Sequence, residues 1–506
     1  MGTWSYLWQG FLSVFQPQHL LFCIIGVVAG QVIGALPGIG SVSGVALLLP
    51  LTFGMDPESA VIMLTGIYYG CMYGGTVSAV LIDIPGDSAA IMTGLDGHRL
   101  ALQGRGGQAL FMAAVGSFVA GTFAILMLTL FAPPLARFGL RFGPPETAAL
   151  MLLALTSLGW LTGESAAKGL LSALLGLFLA VIGVDSVSGR PRFTMGVVDL
   201  MDGIPFLPVV IGIFGITQVL LWLEERTDWK VMEAKLGLRA ILPSLQEWAV
   251  SKWAIVRGTV VGFFVGLMPG AGATTASFLA YTLERQSSRR AHLFGKGAIE
   301  GVAAPESANN AAAIAAYVPL LSLGIPGSAT TAVLMGGLML WGLRPGPLLF
   351  RDAPEFVWGL IASMYVANFL LLAINTLAIP PMIRILSIPA PVLMSIVSVI
   401  SIVGAYCIDN SVFDVWLALG AGVLGYFMHK LKMPVPPVVL GLVLGPDLET
   451  AMRQSFMLSR GSVAIFFTRP IALGLLIATA LFLSAPAIGG ILRRRRLAAR
   501  EAPADR

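Results

Sequence analysis

Apolar residues occur along this chain in long blocks rather than in alternation with polar residues. Blocks of about 18 or more residues without a charged side chain are long enough for a helix to cross roughly 30 Å of hydrocarbon. A transmembrane barrel would need segments of about ten alternating residues instead. Such uncharged blocks include residues 20–53, 109–136, 356–383 and 470–492. The pattern predicts an all-α polytopic membrane protein with about 10–12 membrane-crossing helices.

Pro-Gly motifs interrupt these blocks, and each motif recurs in the second half of the chain. The sequence LPGIG at 36–40 returns as MPGAG at 268–272, and IPG at 84–86 returns as IPG at 325–327. Two further blocks keep the same order, PESA at 57–60 and 305–308, and PFLPVVIG at 205–212 with PVPPVVLG at 434–441. The spacing of about 230 to 250 residues indicates a duplication. Broken helices at matching places are typical of carriers, which bind their substrate there.

The repeats and the polar stretch between them divide the chain into five predicted segments. These are an N-terminal interfacial segment (1–17), a first membrane repeat (18–222), a polar cytoplasmic linker (223–253), a second membrane repeat (254–490) and a basic cytoplasmic tail (491–506). The run Arg493–Arg496 follows the last apolar block directly. Because basic residues collect on the cytoplasmic side of membrane proteins, we expect a cytoplasmic C-terminus.

The charges of equivalent loops favour opposite orientations of the two repeats. Residues 50–55, between the first PGxG motif and the first PES block, contain no basic residue. The equivalent link in the second half carries Arg285, Arg289, Arg290 and Lys296. The rule that basic loops are cytoplasmic then places the two links on opposite sides of the membrane. The charge difference between the loops after the two IPG motifs is weaker. We therefore predict inverted repeats and keep parallel repeats as the alternative.

The PGxG breaks are also predicted to be the tips of re-entrant hairpins. The arms at 256–268 and 273–283 are each only about 16 to 20 Å long at 1.5 Å per residue, so neither crosses the bilayer alone. Proline removes a helix donor and glycine allows positive φ, which lets the chain turn at the tip. The freed backbone groups need partners from protein or water.

Opened helix ends in the breaks supply the groups that an ion-coupled carrier needs. Free NH groups and the helix dipole bind an anion, whereas unwound carbonyls suit a small cation. Hydroxyl and amide residues are concentrated there, although any one of them could instead cap a helix or allow close helix packing. The predicted substrate-binding residues are Pro37, Gly38, Gly40, Ser41, Ser43, Gly86, Ser88, Gly270, Gly272, Thr274, Thr275, Asn309, Asn310, Gly327, Ser328 and Thr330.

Carboxylates near the breaks are the candidates for coupling to Na⁺ or H⁺. Ionisable groups within membrane segments are costly and usually face the protein interior. We assign ion coupling to Asp83, Asp87 and Glu306. For Glu306 and its repeat equivalent Glu58, the alternative is that Glu after Pro simply starts a helix, stabilised by the dipole.

Enzyme and metal motifs are missing from the sequence. There is no HExxH, Walker A or GxSxG motif, the four histidines are scattered, and the three cysteines have no CxxC spacing. We therefore expect no enzyme activity, no catalytic residues, no metal site and no cofactor apart from the coupling ion. The net charge of +5 does not indicate nucleic-acid binding, because basic residues collect in the cytoplasmic loops of membrane proteins.

Six motifs together resemble the large membrane subunit of tripartite tricarboxylate transporters, the TctA family, over almost the whole chain. They are GALPGIG at 34–40, LPLTFGMDP at 49–57, GIYYGCMYGG at 66–75, IPG at 84–86, APESANNA at 304–311 and LGIPG at 323–327. Asp83 is a departure, because the first IPG motif in this family resembles Ile-Asn-Ile-Pro-Gly.

The resemblance implies a permease of the bacterial inner membrane. Its expected partners are a small four-helix membrane subunit, a periplasmic solute-binding protein, a carboxylate substrate and the lipid bilayer, without nucleic acid. The expected function is secondary-active, ion-gradient-driven, binding-protein-dependent uptake of tricarboxylates or related small carboxylates, with alternating access around the paired breaks. The alternative is a stand-alone secondary carrier for a small organic anion. An elevator-like motion is expected only by analogy with other carboxylate carriers.

Overall fold

The computed structural model describes residues 2–161, 165–185, 188–225, 241–377 and 388–484. Within these ranges, eight helices are long and apolar enough to cross a membrane. A helix of about 20 apolar residues covers the hydrocarbon thickness because each residue rises 1.5 Å. The chain is therefore a multi-pass helical membrane protein, and the total of 10–12 crossings stays a prediction.

The first half of the chain contains ten helices and one short β-ladder within the described residues. The helices are α1 (Thr3–Val14), α2 (Pro17–Ala35), α3 (Gly40–Leu48), α4 (Pro57–Ile82), α5 (Ile91–Leu102), α6 (Gly106–Gly139), α7 (Pro144–Leu161), α8 (Ala166–Val181), α9 (Phe206–Ile211) and α10 (Thr217–Glu225). A π-helical turn at Gly212–Ile216 joins α9 to α10, and 3₁₀ turns lie at Leu49–Thr52, Ser88–Ala90 and Val198–Leu200. The strands β1 (Gly183–Val184) and β2 (Pro191–Arg192) pair antiparallel.

The second half repeats this order of helices and breaks. Its helices are α11 (Leu245–Gly266), α12 (Gly272–Ser287), α13 (Glu300–Ala315), α14 (Tyr317–Leu323), α15 (Ala329–Leu340), α16 (Leu349–Asp352), α17 (Pro354–Leu377), α18 (Ala390–Asp409), α19 (Val412–Lys430), α20 (Pro436–Leu458), α21 (Ile465–Thr468) and α22 (Pro470–Ser484). A 3₁₀ turn lies at Ala291–Leu293. Thus α2, α3 and α4 correspond to α11, α12 and the pair α13 and α14.

Two compact units group these helices differently from the sequence repeat. One unit comprises Met1–Arg141 and Ile204–Lys430, and it contains all four Pro-Gly breaks. The other comprises Phe142–Gly203 and Leu431–Arg506. The five sequence segments follow a different criterion and stay a prediction. Linker residues 226–240 and the basic tail, with its run Arg493–Arg496, lie outside the described residues.

A stripe of glycines brings α2 and α4 into backbone contact. Gly26, Gly30 and Gly34 follow one another at four-residue spacing on α2. A Cβ at Gly30 would lie 2.2 Å from the Ile67 carbonyl oxygen, so only hydrogen fits there. Small residues at this spacing let helices approach closely in membranes, where packing rather than the hydrophobic effect drives association.

The same stripe recurs between the equivalent helices α11 and α13. Gly258, Gly262 and Gly266 lie on α11, and a Cβ at Gly262 would lie 2.2 Å from the Ala308 carbonyl oxygen. The helix before each PGxG break is therefore fixed against the next long helix by the same device.

The predicted short first arm of the second hairpin is wrong. Helix α11 begins at Leu245 because Ser244 and Glu247 form a capping box, in which Ser244 N donates to Glu247 Oε2 at 2.8 Å. The resulting 22-residue helix is long enough by itself to cross a membrane. The chain does reverse at the tip, since Arg257 on α11 donates two 2.7 Å hydrogen bonds to Glu284 on α12.

The predicted N-terminal interfacial segment contains the helix α1. Leu7, Gly10 and Val14 are buried, whereas Trp4 and Trp8 are more than half exposed. At 12 residues this helix is too short to span a bilayer. Its position at the membrane interface stays a prediction.

Candidate functional site

Each PGxG break contacts the IPG break of its own repeat through the backbone. The amide of Gly38 donates to the Pro85 carbonyl at 3.4 Å, and the amide of Gly270 donates to the Gly327 carbonyl at 3.0 Å. Gly38 and Gly270 both have positive φ, 78° and 82°, which residues with a Cβ rarely adopt. The two repeats thus form the same tip with the same kind of partner.

Each IPG break folds back along the helix that precedes it. The amide of Gly86 donates to the Gly75 carbonyl of α4 at 3.3 Å. In the second half, a Cβ at Gly327 would lie 2.7 Å from Ala316 Cα, at the same separation of 11 residues along the chain. The absence of a side chain at both glycines allows this close return of the backbone.

Hydroxyl contacts between the repeats bring all four breaks together. Ser41 Oγ, at the first PGxG break, lies 3.1 Å from Thr330 Oγ1, at the second IPG break. Thr274 Oγ1, at the second PGxG break, lies 2.7 Å from Ser88 Oγ, at the first IPG break. The first pair is buried and the second pair is exposed. The four breaks therefore form one polar cluster, which we call the break cluster.

Asp87 fixes the first half of the break cluster. Its Oδ2 accepts the amide of Ser41 at 2.7 Å, at the start of α3, and its Oδ1 accepts the amide of Ala89 at 2.9 Å. A carboxylate at a helix N-terminus satisfies free amides and interacts favourably with the dipole.

The second half of the break cluster has no equivalent carboxylate. Ser328 stands at the position of Asp87 and caps its own helix, α15, through a reciprocal box with Thr331. The N-cap residue of α12, Ala271, makes no side-chain cap, and Thr274 in the first turn of this helix is exposed. Within the residues that the structure describes, Asp87 thus caps the N-terminus of α3, whereas Ala271 offers no cap to the N-terminus of α12.

Glu306 lies at the centre of a second, fully buried polar cluster, the Glu306 cluster. Its Oε2 accepts the hydroxyls of Thr76 at 2.7 Å and Thr93 at 3.0 Å, and its Oε1 accepts Ser117 at 3.2 Å. These donors come from α4, α5 and α6, while Glu306 itself is in α13. The cluster thus connects one helix of the second repeat with three of the first.

Asn309 and Asn310, predicted as substrate ligands, contribute their amides to this cluster. Asn309 Nδ2 donates to Glu306 Oε2 at 3.1 Å. Asn310 Nδ2 lies 2.6 Å from Ser117 Oγ and 2.6 Å from Asn309 Oδ1. Both residues are buried, and the hydrogen bonds described above connect them with Glu306 and Ser117.

The helix-start interpretation holds for Glu58 but not for Glu306. Glu58 is in the first turn of α4, where Asp56 is the N-cap, and it accepts a hydrogen bond from Ser13 Oγ at 2.6 Å. Pro305 instead lies inside α13, so Glu306 follows a mid-helix proline.

Asp83 is exposed and ends α4 in the left-handed conformation, with φ of 59°. Asp and Asn tolerate this conformation better than other residues with a Cβ. The backbone at this position therefore accepts the aspartate of this chain as well as the asparagine of the similar Ile-Asn-Ile-Pro-Gly motif.

The remaining predicted residues lie on the helices that leave the breaks or in the breaks themselves. Ser43 is buried in α3, Thr275 is half-buried in α12, and Pro37 is half-buried in the first tip. Gly40 begins α3 and Gly272 begins α12.

Sequence reasoning missed the hydroxyl donors to Glu306 and one buried aspartate. Thr76, Thr93 and Ser117 lie inside apolar helices, where an isolated polar side chain is itself a signal of an interior contact. Asp96 of α5 accepts the backbone amides of the loop between α12 and α13, three of them on Oδ1 at 2.8 Å: Gly295, Gly297 and Ala298. Among the residues that the structure describes, no group of three or more His, Cys, Asp or Glu side chains could hold a metal ion.

Comparison with known families identifies the family of this chain. A family model described as the tripartite tricarboxylate transporter TctA family matches residues 20–440, which include both clusters. The chain belongs to the tripartite tricarboxylate transporter TctA family. TctA is a family of membrane transporters, so this TctA protein is a transporter related to tricarboxylate transport, in agreement with the prediction that it is not an enzyme.

Relatives of this TctA protein cover its full length or parts of it. An uncharacterized 52.8 kDa protein in the TAR-I ttuC′ 3′ region of Agrobacterium vitis is 40% identical over 479 residues, 94% of either chain. An uncharacterized protein in the TAR-II ttuC′ 3′ region of the same organism is 42% identical over 42% of this chain and 89% of its own. An uncharacterized protein of Methanocaldococcus jannaschii is 31% identical over 24% of this chain and 30% of its own. No solved structure matches.

Proposed function

We propose that this TctA protein is the permease subunit of a secondary-active uptake system for tricarboxylates or related small carboxylates. The observation that carries this proposal is the convergence of the four breaks, through the contacts of Ser41 with Thr330 and of Ser88 with Thr274. Broken helices that meet in this way are the usual binding site of a secondary carrier.

The substrate carboxylate binds at the N-terminus of α12. Its N-cap residue, Ala271, makes no side-chain cap, and the exposed hydroxyl of Thr274 lies beside this helix end. Backbone amides and the helix dipole favour an anion at such an end. Asp87 already occupies the corresponding end of α3, so the two equivalent ends differ in charge and the substrate site is asymmetric.

The positions at which helices begin, within the unit that contains the four breaks, support inverted repeats. Helices α2 and α4 start at the same end, because Gln18 Nε2 donates to Ser59 Oγ at 3.3 Å. Helix α4 then rises by about 39 Å over its 26 residues. Near its far end, Val80 accepts a hydrogen bond from His98 of α5 at 3.0 Å.

Helix α11, the equivalent of α2, starts near that far end. Arg105, directly after α5, forms an ion pair with Glu247 in the first turn of α11. The basic loop between α12 and α13 is at the same end, since Gln103 Nε2 donates to the Lys296 carbonyl at 3.0 Å. By the positive-inside rule this end is cytoplasmic, as is the C-terminus. Membership of the TctA family favours the bacterial inner membrane as the location.

Coupling requires that a cation and the substrate favour the same conformation of the site. Asp87 lies in the break cluster and Glu306 in the neighbouring buried cluster, whereas Asp83 is exposed at the end of α4. The carrier alternates between outward and inward access as the breaks move against the surrounding helices. The periplasmic solute-binding protein delivers the substrate, and the small membrane subunit completes the permease.

Uptake by reconstituted proteoliposomes tests this proposal. We expect accumulation of radiolabelled citrate, or of another small carboxylate from a matched panel, only with an imposed Na⁺ or H⁺ gradient and with all three proteins present. Accumulation that persists after both gradients are collapsed would overturn the secondary-active mechanism. Full activity of the permease alone would overturn the dependence on partners.

A further inference from the structure

Glu306 is surrounded by oxygen-bearing side chains from three other helices. The hydroxyls of Thr76, Thr93 and Ser117 lie 2.7 to 3.2 Å from its carboxylate oxygens. A hydroxyl donates one hydrogen bond but also carries two lone pairs, so each of these groups can rotate to present its oxygen to a cation.

The two asparagines complete this shell on the side of α13. Asn309 Nδ2 donates to Glu306 Oε2 at 3.1 Å, and Asn310 Nδ2 lies 3.4 Å from Glu306 Oε1. Each amide carries a carbonyl oxygen as well as its NH₂ group. The cluster therefore offers more oxygen atoms than the carboxylate alone.

The charge of Glu306 has no cationic partner in the part of the chain that the structure describes, where no Arg, Lys or His forms an ion pair with it. The side chain is 1% exposed, so bulk solvent does not screen its charge. An isolated carboxylate in the interior of a membrane protein is strongly unfavourable unless a proton or a cation neutralises it. The site therefore calls for one positive charge.

We propose that Glu306 binds one Na⁺ ion together with the hydroxyl oxygens of Thr76, Thr93 and Ser117. This inference rests on the proposed function and specifies its coupling ion. Carboxylate, hydroxyl and amide oxygens are ligands for hard cations, and the single carboxylate balances one monovalent charge. A divalent ion would leave an excess positive charge buried among apolar helices.

The position of the Glu306 cluster explains how this ion acts on the substrate site. Thr76 precedes the first IPG break and Thr93 follows it, so a shared ion fixes both sides of the break. Gly75, next to Thr76, accepts the amide of Gly86 within the break. The next residue, Asp87, caps α3 in the break cluster. An ion at Glu306 thus stabilises the geometry in which the substrate site is assembled.

Thermal unfolding of the purified full-length protein in detergent tests the site without gradients or partner proteins. The Tm is measured in NaCl, KCl and choline chloride at equal ionic strength. We expect a saturable rise in Tm with Na⁺ alone, and its loss in Glu306→Gln. Glu58→Gln is the matched control, because Glu58 is the repeat equivalent outside the cluster, and it is expected to keep the Na⁺ response.

A second variant keeps the test decisive if Glu306→Gln does not fold. Thr93→Val preserves the side-chain shape but removes one ligand, and we expect at least tenfold weaker Na⁺ binding, while Thr93→Ser restores it. Equal Tm values in NaCl and KCl, or an unchanged Na⁺ response in Thr93→Val, would overturn the proposal. A stabilisation that follows pH alone would assign a proton instead and would also overturn it. Because this assay measures binding only, its failure leaves the uptake proposal to be decided by the proteoliposome experiment.

Discussion

The hydroxyl groups of Ser41 and Thr330 lie 3.1 Å apart although 289 residues separate them along the chain. Their contact joins the PGxG break of one repeat to the IPG break of the other. The contact of Ser88 with Thr274 joins the remaining two breaks. The breaks of the two repeats are therefore connected directly by hydrogen bonds between side chains.

Replacement of Thr274 by valine is expected to weaken carboxylate transport. The change removes the exposed hydroxyl beside the N-terminus of α12 and its contact with Ser88. Loss of one hydrogen bond of about 0.5–1.5 kcal/mol corresponds to a KM roughly 2- to 10-fold higher. The matched control is Thr282→Val, on the same helix, because the Thr282 hydroxyl donates to the Phe278 carbonyl within that helix. The KM of each variant is obtained from initial uptake rates. Equal KM values in the two variants would refute the placement of Thr274 at the substrate site.

Replacement of Asp87 by asparagine is expected to lower both stability and uptake. The charge at the N-terminus of α3 is lost, although the shape and one acceptor oxygen are kept. A charged cap contributes about 1 kcal/mol. Asp56→Asn is the control, because Asp56 caps α4 through the amide of Ser59, away from the breaks. Thermal unfolding and uptake are measured on both, and a larger loss of uptake in Asp56→Asn than in Asp87→Asn would contradict this role.

Alanine in place of either interhelical glycine is expected to destabilise the larger unit. The Cβ at Gly30 or at Gly262 would meet a carbonyl oxygen at 2.2 Å, so two helix backbones must separate. Overpacking of this kind costs roughly 1–3 kcal/mol or more. Gly420 on α19 has open space around it, and alanine there improves helix propensity. The Tm should fall in the first two variants and stay level or rise in Gly420→Ala, and a uniform response would exclude close packing as the cause.

Removal of the Asp96 carboxylate is expected to loosen the loop between α12 and α13. Asp96→Ala leaves the amides of Gly295, Gly297 and Ala298 without their acceptor. Ala298 is buried, whereas Gly295 is exposed and Gly297 half-buried, so the full penalty of about 1–3 kcal/mol for an unsatisfied buried group applies to the Ala298 amide. Tyr281→Phe removes the 2.9 Å bond to Asp96 Oδ2 but keeps the carboxylate, and it should cost about 1 kcal/mol. Denaturant unfolding ranks the two variants, and a milder effect of Asp96→Ala than of Tyr281→Phe would show that the loop is held by other contacts.

The motifs along the chain predicted which segments form the break cluster, because Pro-Gly interruptions are local features of sequence. They did not predict which hydroxyl meets which, since the pairing of Ser41 with Thr330 depends on the packing of two repeats. The four-residue spacing of the glycines on α2 and α11 is visible in the sequence, but it does not identify α4 and α13 as the helices packed against them. The start of α11 was missed because the capping residues Ser244 and Glu247 lie in the polar linker.

The Glu306 cluster could be predicted only in part. The position of Glu306 within an apolar, Ala-rich stretch indicated a functional carboxylate. The hydroxyl donors to Glu306 come from three helices of the other repeat: Thr76, Thr93 and Ser117. No local sequence pattern connects these residues with Glu306. The sequence also does not show that Pro305 lies inside a helix, because the same three residues, Pro-Glu-Ser, begin the helix α4.

Substrate protection of a cysteine at the break cluster tests the central claim most directly. The variant Thr274→Cys is made in a background with Cys407→Ser, since Cys407 is exposed while Cys23 and Cys71 are buried. In proteoliposomes that take up carboxylate, alkylation of the new thiol by a small maleimide is followed with and without the transported carboxylate. The account predicts slower alkylation with substrate in Thr274→Cys and no change in the control Thr282→Cys. Equal alkylation rates with and without substrate in Thr274→Cys, in vesicles with active uptake, would contradict it.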